Sequence, residues 1–119
     1  MAEDLSFKVA PRIFLAGQVS GVEGYTESAA MGLLAGRFAT ARIFGKSFQR
    51  PPADTIIGAL LEYVTHGGLG TFQPMNANLG LLPGIAKQRG ISKANRREQQ
   101  CGLARDSFQR FATQILSPQ

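Results

Sequence analysis

Three glycines fall within eight residues in Gly17-Gln18-Val19-Ser20-Gly21-Val22-Glu23-Gly24. Glycine lets a ligand lie directly against the backbone. The residues that follow, from Tyr25 to Phe44, are rich in Ala, Leu and Met and read as a helix. The first amides of a helix have no internal partner, and its dipole favours negative charge there. A glycine loop feeding such a start is therefore suited to an anionic or electron-rich ligand. The spacing is not G-x-G-x-x-G, and no acidic residue follows about twenty positions later at a strand end. The loop is thus not the fingerprint of a first dinucleotide-binding unit. A tight turn with close helix packing accounts for the glycines equally well.

Other side chains offer chemistry of lower specificity. Glu23 and Glu27 are possible acid–base groups. Their ordinary roles are support of the helix start for Glu27 and pairing with a neighbour for Glu23. Gln73, Asn76 and Asn78 can donate and accept amide hydrogen bonds, or close their own loop as Asn side chains commonly do. His66 stands before Gly67 at an expected helix end, where a cap is the ordinary reading. Cys101 is the one cysteine, so no internal disulfide forms, and no Cys/His cluster supports zinc.

The elements that must position these groups follow from pattern. Arg12-Ile13-Phe14-Leu15-Ala16 is a short, largely apolar run ending at Gly17, as a buried strand of a parallel sheet reads. Residues 1–11 read as an irregular lead-in. Gly45 stands where a helix stop belongs. In the helix before it, Ser28, Gly32, Ala35 and Ala39 share one side. Pro51-Pro52 break the chain, and Asp54 or Thr55 can cap a second helix with Ile56, Leu60, Tyr63 and Val64 as its apolar stripe, ended by Gly67-Gly68. Residues 69–91 read as an ordered loop anchored by Phe72, Met75, Leu79, Leu81 and Leu82. Ser92 can cap a last helix, with Cys101, Ala104, Phe108, Phe111 and Ile115 facing a core. One strand cannot bury itself, so the chain reads as a piece of a larger sheet or assembly.

The net charge of +5 is unevenly placed. Residues 1–83 are neutral, whereas residues 84–119 carry seven Lys/Arg against two Asp/Glu. Such a segment can meet phosphates, or it is simply a solvated helix face. No stretch is apolar enough to span a bilayer and no leader pattern opens the chain, so the expectation is a cytoplasmic protein without a membrane or metal partner.

Two blocks carry a family resemblance. The first is Ala16-Gly17-Gln18, Gly21-Val22-Glu23-Gly24-Tyr25-Thr26-Glu27-Ser28-Ala29-Ala30 and Gly32-Leu33-Leu34-Ala35-Gly36. It resembles the late FAD motif of the GidA-type flavoprotein superfamily, in the form of its folate-dependent TrmFO branch. The second is Phe72-Gln73-Pro74-Met75-Asn76-Ala77-Asn78-Leu79-Gly80-Leu81-Leu82-Pro83, also similar to TrmFO. The likeness covers roughly residues 11–110, and residues 1–10 are expected to depart from it.

The resemblance implies an α/β fold: the C-terminal part of a Rossmann-like FAD-binding domain, mostly helical, with one parallel-sheet strand near residues 12–16. Residues 12–119 would form that incomplete domain. The implied reaction moves a one-carbon unit from methylenetetrahydrofolate to carbon five of a T-loop uridine in tRNA, with FAD as carrier and NAD(P)H as reductant. Carried over by position, Gly17, Gln18, Gly21, Val22, Glu23, Gly24 and Tyr25 would hold FAD, with Tyr25 as an aromatic wall. Gln73, Asn76 and Asn78 would meet flavin or folate, and Arg96 and Arg97 tRNA phosphates. The first FAD motif, the inserted domain and the working cysteines belong to parts this sequence does not match. Cys101 is then a small buried hydrophobe. Two alternatives stand beside this reading: a GidA-type wobble-uridine flavoprotein, against which the Phe72–Asn78 string argues, and a small basic RNA-binding domain without flavin.

Overall fold

The computed structural model describes residues 1–67 and 71–117. Its order is β1 (Ser6–Phe7), β2 (Ala10–Phe14), a 3-10 turn at Gly17–Ser20, α1 (Tyr25–Ile43), α2 (Ile56–His66), a 3-10 turn at Leu79–Leu81 and α3 (Lys93–Leu116). The protein is mostly helical, with one small two-stranded sheet.

The helix boundaries follow from local chemistry. Helix α1 stops at Gly45, whose φ of +63° is a left-handed conformation. There Gly45 N donates to Arg42 O at 3.1 Å and Lys46 N to Ala41 O at 2.8 Å, closing the last carbonyls. Helix α2 starts after Pro51-Pro52, with the Thr55 hydroxyl accepting from Gly58 N at 3.0 Å. Its C-cap is Gly67; Gly68, the second half of the expected stop, lies outside the described residues. Ser92 caps α3 by accepting from Asn95 N at 3.1 Å.

The main core joins Leu5, Val22, four α1 residues (Met31, Leu34, Ala35 and Phe38) and three α2 residues (Leu60, Leu61 and Val64). A smaller cluster of Ala59, Leu82 and Ala104 ties α3 to α2.

Three expectations need correction. Residues 1–11 are not an irregular lead-in. β1 lies there, Leu5 is fully buried, and buried Asp4 accepts from Ser6 Oγ at 2.6 Å and pairs with Arg42 of α1. Leu5 reaches the core with a φ of +64°, which no sequence pattern announces. Secondly, the strand near 12–16 runs from Ala10 to Phe14 and pairs antiparallel with β1, in the register Ser6↔Phe14 and Phe7↔Ala10. No parallel partner for it occurs among the described residues, and Pro11, Arg12 and Ile13, which alternate between its two faces, are all exposed. Thirdly, α3 buries only part of its expected stripe. Ala104, Ser107 and Phe111 are buried, whereas Cys101 and Phe108 are exposed.

Candidate functional site

The glycine loop is built from backbone hydrogen bonds. Gly17 turns the chain out of β2 with a φ of +68°. The Ser20 hydroxyl then donates to Gly17 O at 2.7 Å and Gly21 N to Gln18 O at 3.0 Å, which closes the 3-10 turn. Gly21 has a φ of +104°, and a Cβ there would overlap the Phe72 ring, 2.8 Å from Cε1. Only glycine satisfies both constraints. Val22 then drops its side chain into the core and is buried as a whole residue.

The second motif block meets the first here. Val22 and Met75 form a parallel bridge: Met75 N donates to Gly21 O at 3.0 Å and Glu23 N to Met75 O at 3.2 Å. Two carboxylates extend the junction. Asn76 Nδ2 donates to Glu23 Oε2 at 3.1 Å, and Ala77 N donates to Glu27 Oε1 at 2.9 Å. From below, Tyr63 of α2 donates its hydroxyl to Gln73 O at 2.8 Å and packs its ring 5.8 Å from Phe72.

Helix α1 leaves this junction with Gly24 as its N-cap and no side-chain cap. Ser28 N donates to Gly24 O at 2.9 Å. The amides of Tyr25, Thr26 and Glu27 are therefore donors without a partner among the described residues, beside a positive helix end. Tyr25 is 98% exposed, so its ring packs against no part of the core described here.

Of the seven candidate cofactor positions, Gly17, Gln18, Glu23, Gly24 and Tyr25 are exposed or half-buried, whereas Gly21 and Val22 are buried, and Gly21 O and Glu23 N are taken by Met75. Of the loop amides, Gln73 keeps an exposed side chain, while Asn76 is held by Glu23. Asn78 closes its own turn, donating to Asn76 O at 2.9 Å and accepting from Gly80 N at 2.9 Å. Arg96 and Arg97 lie in the first turns of α3 and take no part in the junction. Arg97 is exposed, and Arg96 has a buried Nε without a partner. Among the described residues, none of the cations beyond residue 83 forms an ion pair. His66 does not close the end of α2; its ring lies between Glu62 at 3.0 Å and Glu3 at 3.3 Å.

Sequence reasoning named Phe72 as an anchor of its own loop but missed its ring against Gly21, the Tyr63 hydroxyl on Gln73 O, and Ala77 N as the partner of Glu27. It also missed an apolar cavity of about 400 Å³ beside the junction, lined by Ala30, Ile57, Leu60, Leu82, Cys101 and Phe108. Two of these are α3 residues assigned to a closed core. Among the described residues no group of three or more His, Cys, Asp or Glu is placed to hold a metal ion. No described helix is long and apolar enough to cross a membrane.

Comparison with known proteins bears directly on this junction. A family model described as glucose inhibited division protein A matches residues 1–47, including the first ten, which were expected to depart from the family. Over 96 residues, 77% of this chain, it is 53% identical to the methylenetetrahydrofolate–tRNA-(uracil-5-)-methyltransferase TrmFO of Maricaulis maris. Over 86 residues it is 57% identical to the TrmFO of Caulobacter sp. strain K31, and over 87 residues 54% identical to that of Cereibacter sphaeroides. This chain is similar in sequence to TrmFO. The chain spans about a fifth of the length of these curated TrmFO relatives, 21% in the first case. The GidA-type wobble-uridine alternative is not favoured by these names.

Proposed function

We propose that this chain is the late FAD-binding part of a TrmFO-type, methylenetetrahydrofolate-dependent tRNA (uracil-5-)-methyltransferase. In this reading it is the C-terminal portion of a Rossmann-like domain, cytoplasmic in location, and β2 joins parallel strands supplied by the rest of the protein. The observation that carries it is the junction itself. The two motif blocks meet at the start of α1 and leave three unpaired amides there, flanked by glycine backbone and an exposed tyrosine.

These residues fit a flavin. Space remains at Gly17, where an added Cβ would meet only Ser28, at 3.9 Å. The α1 amides favour an acceptor or anionic group, the character of the pyrimidine edge of a reduced flavin. When bound, FAD would carry the one-carbon unit, which comes from methylenetetrahydrofolate, and the electrons, which come from NAD(P)H. The chain's own residues bind and orient: Gly17 and Gly24 offer backbone, Tyr25 offers a ring and Gln73 offers a free amide, on a base that Gly21 and Val22 build from below. Glu23, Asn76 and Asn78 hold the loop. Arg96 and Arg97, without carboxylate partners, suit phosphates of tRNA.

The test is spectral. The chain is purified and titrated with FAD, alone and co-expressed with the remaining portion of a full-length relative. Little flavin is expected on the chain alone, and a yellow complex with methyl transfer to tRNA after co-expression. A complex that forms but stays colourless refutes the reading. Tight, salt-dependent tRNA binding by a flavin-free chain would favour the small RNA-binding domain instead.

A further inference from the structure

Helix α1 opens with a carboxylate used in an unusual direction. In a capping box, the third residue of the helix turns back to the amide of its own N-cap. Glu27 is that third residue and Gly24 that cap. Glu27 Oε1 instead accepts from Ala77 N at 2.9 Å, fifty positions along the chain. To reach it, the carboxylate crosses directly over Gly24. A Cβ at position 24 would overlap Glu27 Oε2 and lie 2.8 Å from Cδ. Gly24 has a φ of −78°, so no backbone requirement explains the glycine there. The path of the Glu27 side chain does.

The backbone bridge between the two loops ends at Met75. Beyond it, the segment Asn76–Asn78 is exposed, and Asn78 bonds only within its own turn. Among the described residues, two carboxylates alone reach across to this segment: Glu23 to the Asn76 side chain, and Glu27 to the Ala77 backbone. A side-chain amide bond can swing with its rotamer. A bond to a backbone amide fixes the chain itself.

We propose that Glu27 is a positioning residue. Passing over Gly24, it locks the backbone of residues 76–78 against the first turn of α1, so that both motif blocks present one preformed wall to the ligand. The lock stands on hydrogen bonds within this chain. Its consequence for flavin rests on the function proposed above.

Hydrogen exchange at the Ala77 amide, followed by NMR on the full chain, tests the lock. Glu27→Ala is expected to speed that exchange by about tenfold, the scale of one charge-assisted hydrogen bond near a surface. Glu27→Gln keeps an acceptor oxygen and should restore most of the protection. Gly24→Ala should displace the carboxylate, speed Ala77 to a similar degree, and add little in a Glu27→Ala background, since coupled residues are non-additive. Unchanged exchange in Glu27→Ala, equal exchange in Glu27→Ala and Glu27→Gln, or additive effects of the pair would each overturn the proposal. If Glu27→Ala fails to fold, Gly24→Ala and Glu27→Gln carry the same comparison.

The flavin arm uses the co-expressed complex, where Glu27→Ala should weaken FAD binding by about tenfold and Glu27→Gln only slightly. Wild-type flavin binding that Glu27→Ala leaves unchanged overturns the positioning role. A wild-type complex that binds no flavin, with Ala77 responding as expected, sinks the proposed function and leaves the lock standing.

Discussion

Leu5 offers a test of whether the first eleven residues belong to the fold. Its side chain is fully buried and contributes to the main core, yet its φ is +64°. Truncation to alanine removes a buried side chain and leaves a partly collapsed cavity, a loss of about 2–5 kcal/mol. A chain of this size has only roughly 5–15 kcal/mol to lose. With a mid-range loss of about 3 kcal/mol and a urea slope of about 1.5 kcal/mol per molar, the unfolding midpoint falls by about 2 M. The left-handed backbone adds a second, sharper expectation. Alanine to glycine ordinarily destabilises an element by roughly 0.5–1 kcal/mol. At Leu5 a left-handed L-residue carries a cost of roughly 1–2 kcal/mol that glycine relieves. Leu5→Gly should therefore be at least as stable as Leu5→Ala, an inversion of the usual order. The assay is urea unfolding followed by circular dichroism, with Val9→Ala (Val9 is 83% exposed) as a control expected to stay within about 0.5 kcal/mol. A loss below about 1 kcal/mol for Leu5→Ala would show that the segment is an appendage. A glycine variant clearly weaker than the alanine one would refute the strained backbone.

Two further outcomes follow from packing. Gly58→Ala should destabilise by about 2 kcal/mol or more in thermal melts, because its Cβ would press on the Pro51–Pro52 backbone, 2.6 Å from Pro52 C; Gly102→Ala in α3 meets nothing within 4 Å and should gain about 0.5–1 kcal/mol. Cys101 is exposed, so its thiol should react with a thiol-specific reagent in the native state at a rate close to that of the urea-unfolded chain; reaction only after unfolding would contradict its placement.

What the sequence revealed was local. Gly45, Thr55 and Ser92 were legible as helix ends because capping depends on a few adjacent residues. The pairing of Glu23 with a neighbour was legible in kind but not in partner, since Asn76 lies 53 positions away. The face of α3 was misread for a specific reason. Apolar spacing selected Cys101, Ala104, Phe108 and Phe111, but the helix rotates toward Ser107. A serine is discounted in any apolar pattern, yet here its hydroxyl donates to Asp54 Oδ1 at 2.6 Å, which makes burial inexpensive. The meeting of the two motif blocks could not come from periodicity at all. It rests on a two-bond bridge between irregular segments.

The outward face of α1 carries the last prediction. Met31, Leu34, Ala35 and Phe38 face the core, while Leu33 and Ile43 point away from it and are largely exposed. Added Cβ atoms at Gly32 and Gly36 would meet nothing within 4 Å, so the smallness of this face serves no contact inside the chain. Exposed β2 residues Pro11 to Ile13 likewise lack a covering layer. A chain spanning about a fifth of its relatives' length accounts for this if the rest of the Rossmann-like domain lies over α1 and β2. Leu33→Asp then separates assembly from folding. The charge costs the free chain little, because the site is solvated, so its melting temperature should stay within a degree or two of the parent. In the co-expressed complex the same carboxylate would be buried without a partner, and co-purification should be lost. If Leu33→Asp assembles as well as the parent and retains flavin equally, α1 does not dock through this face.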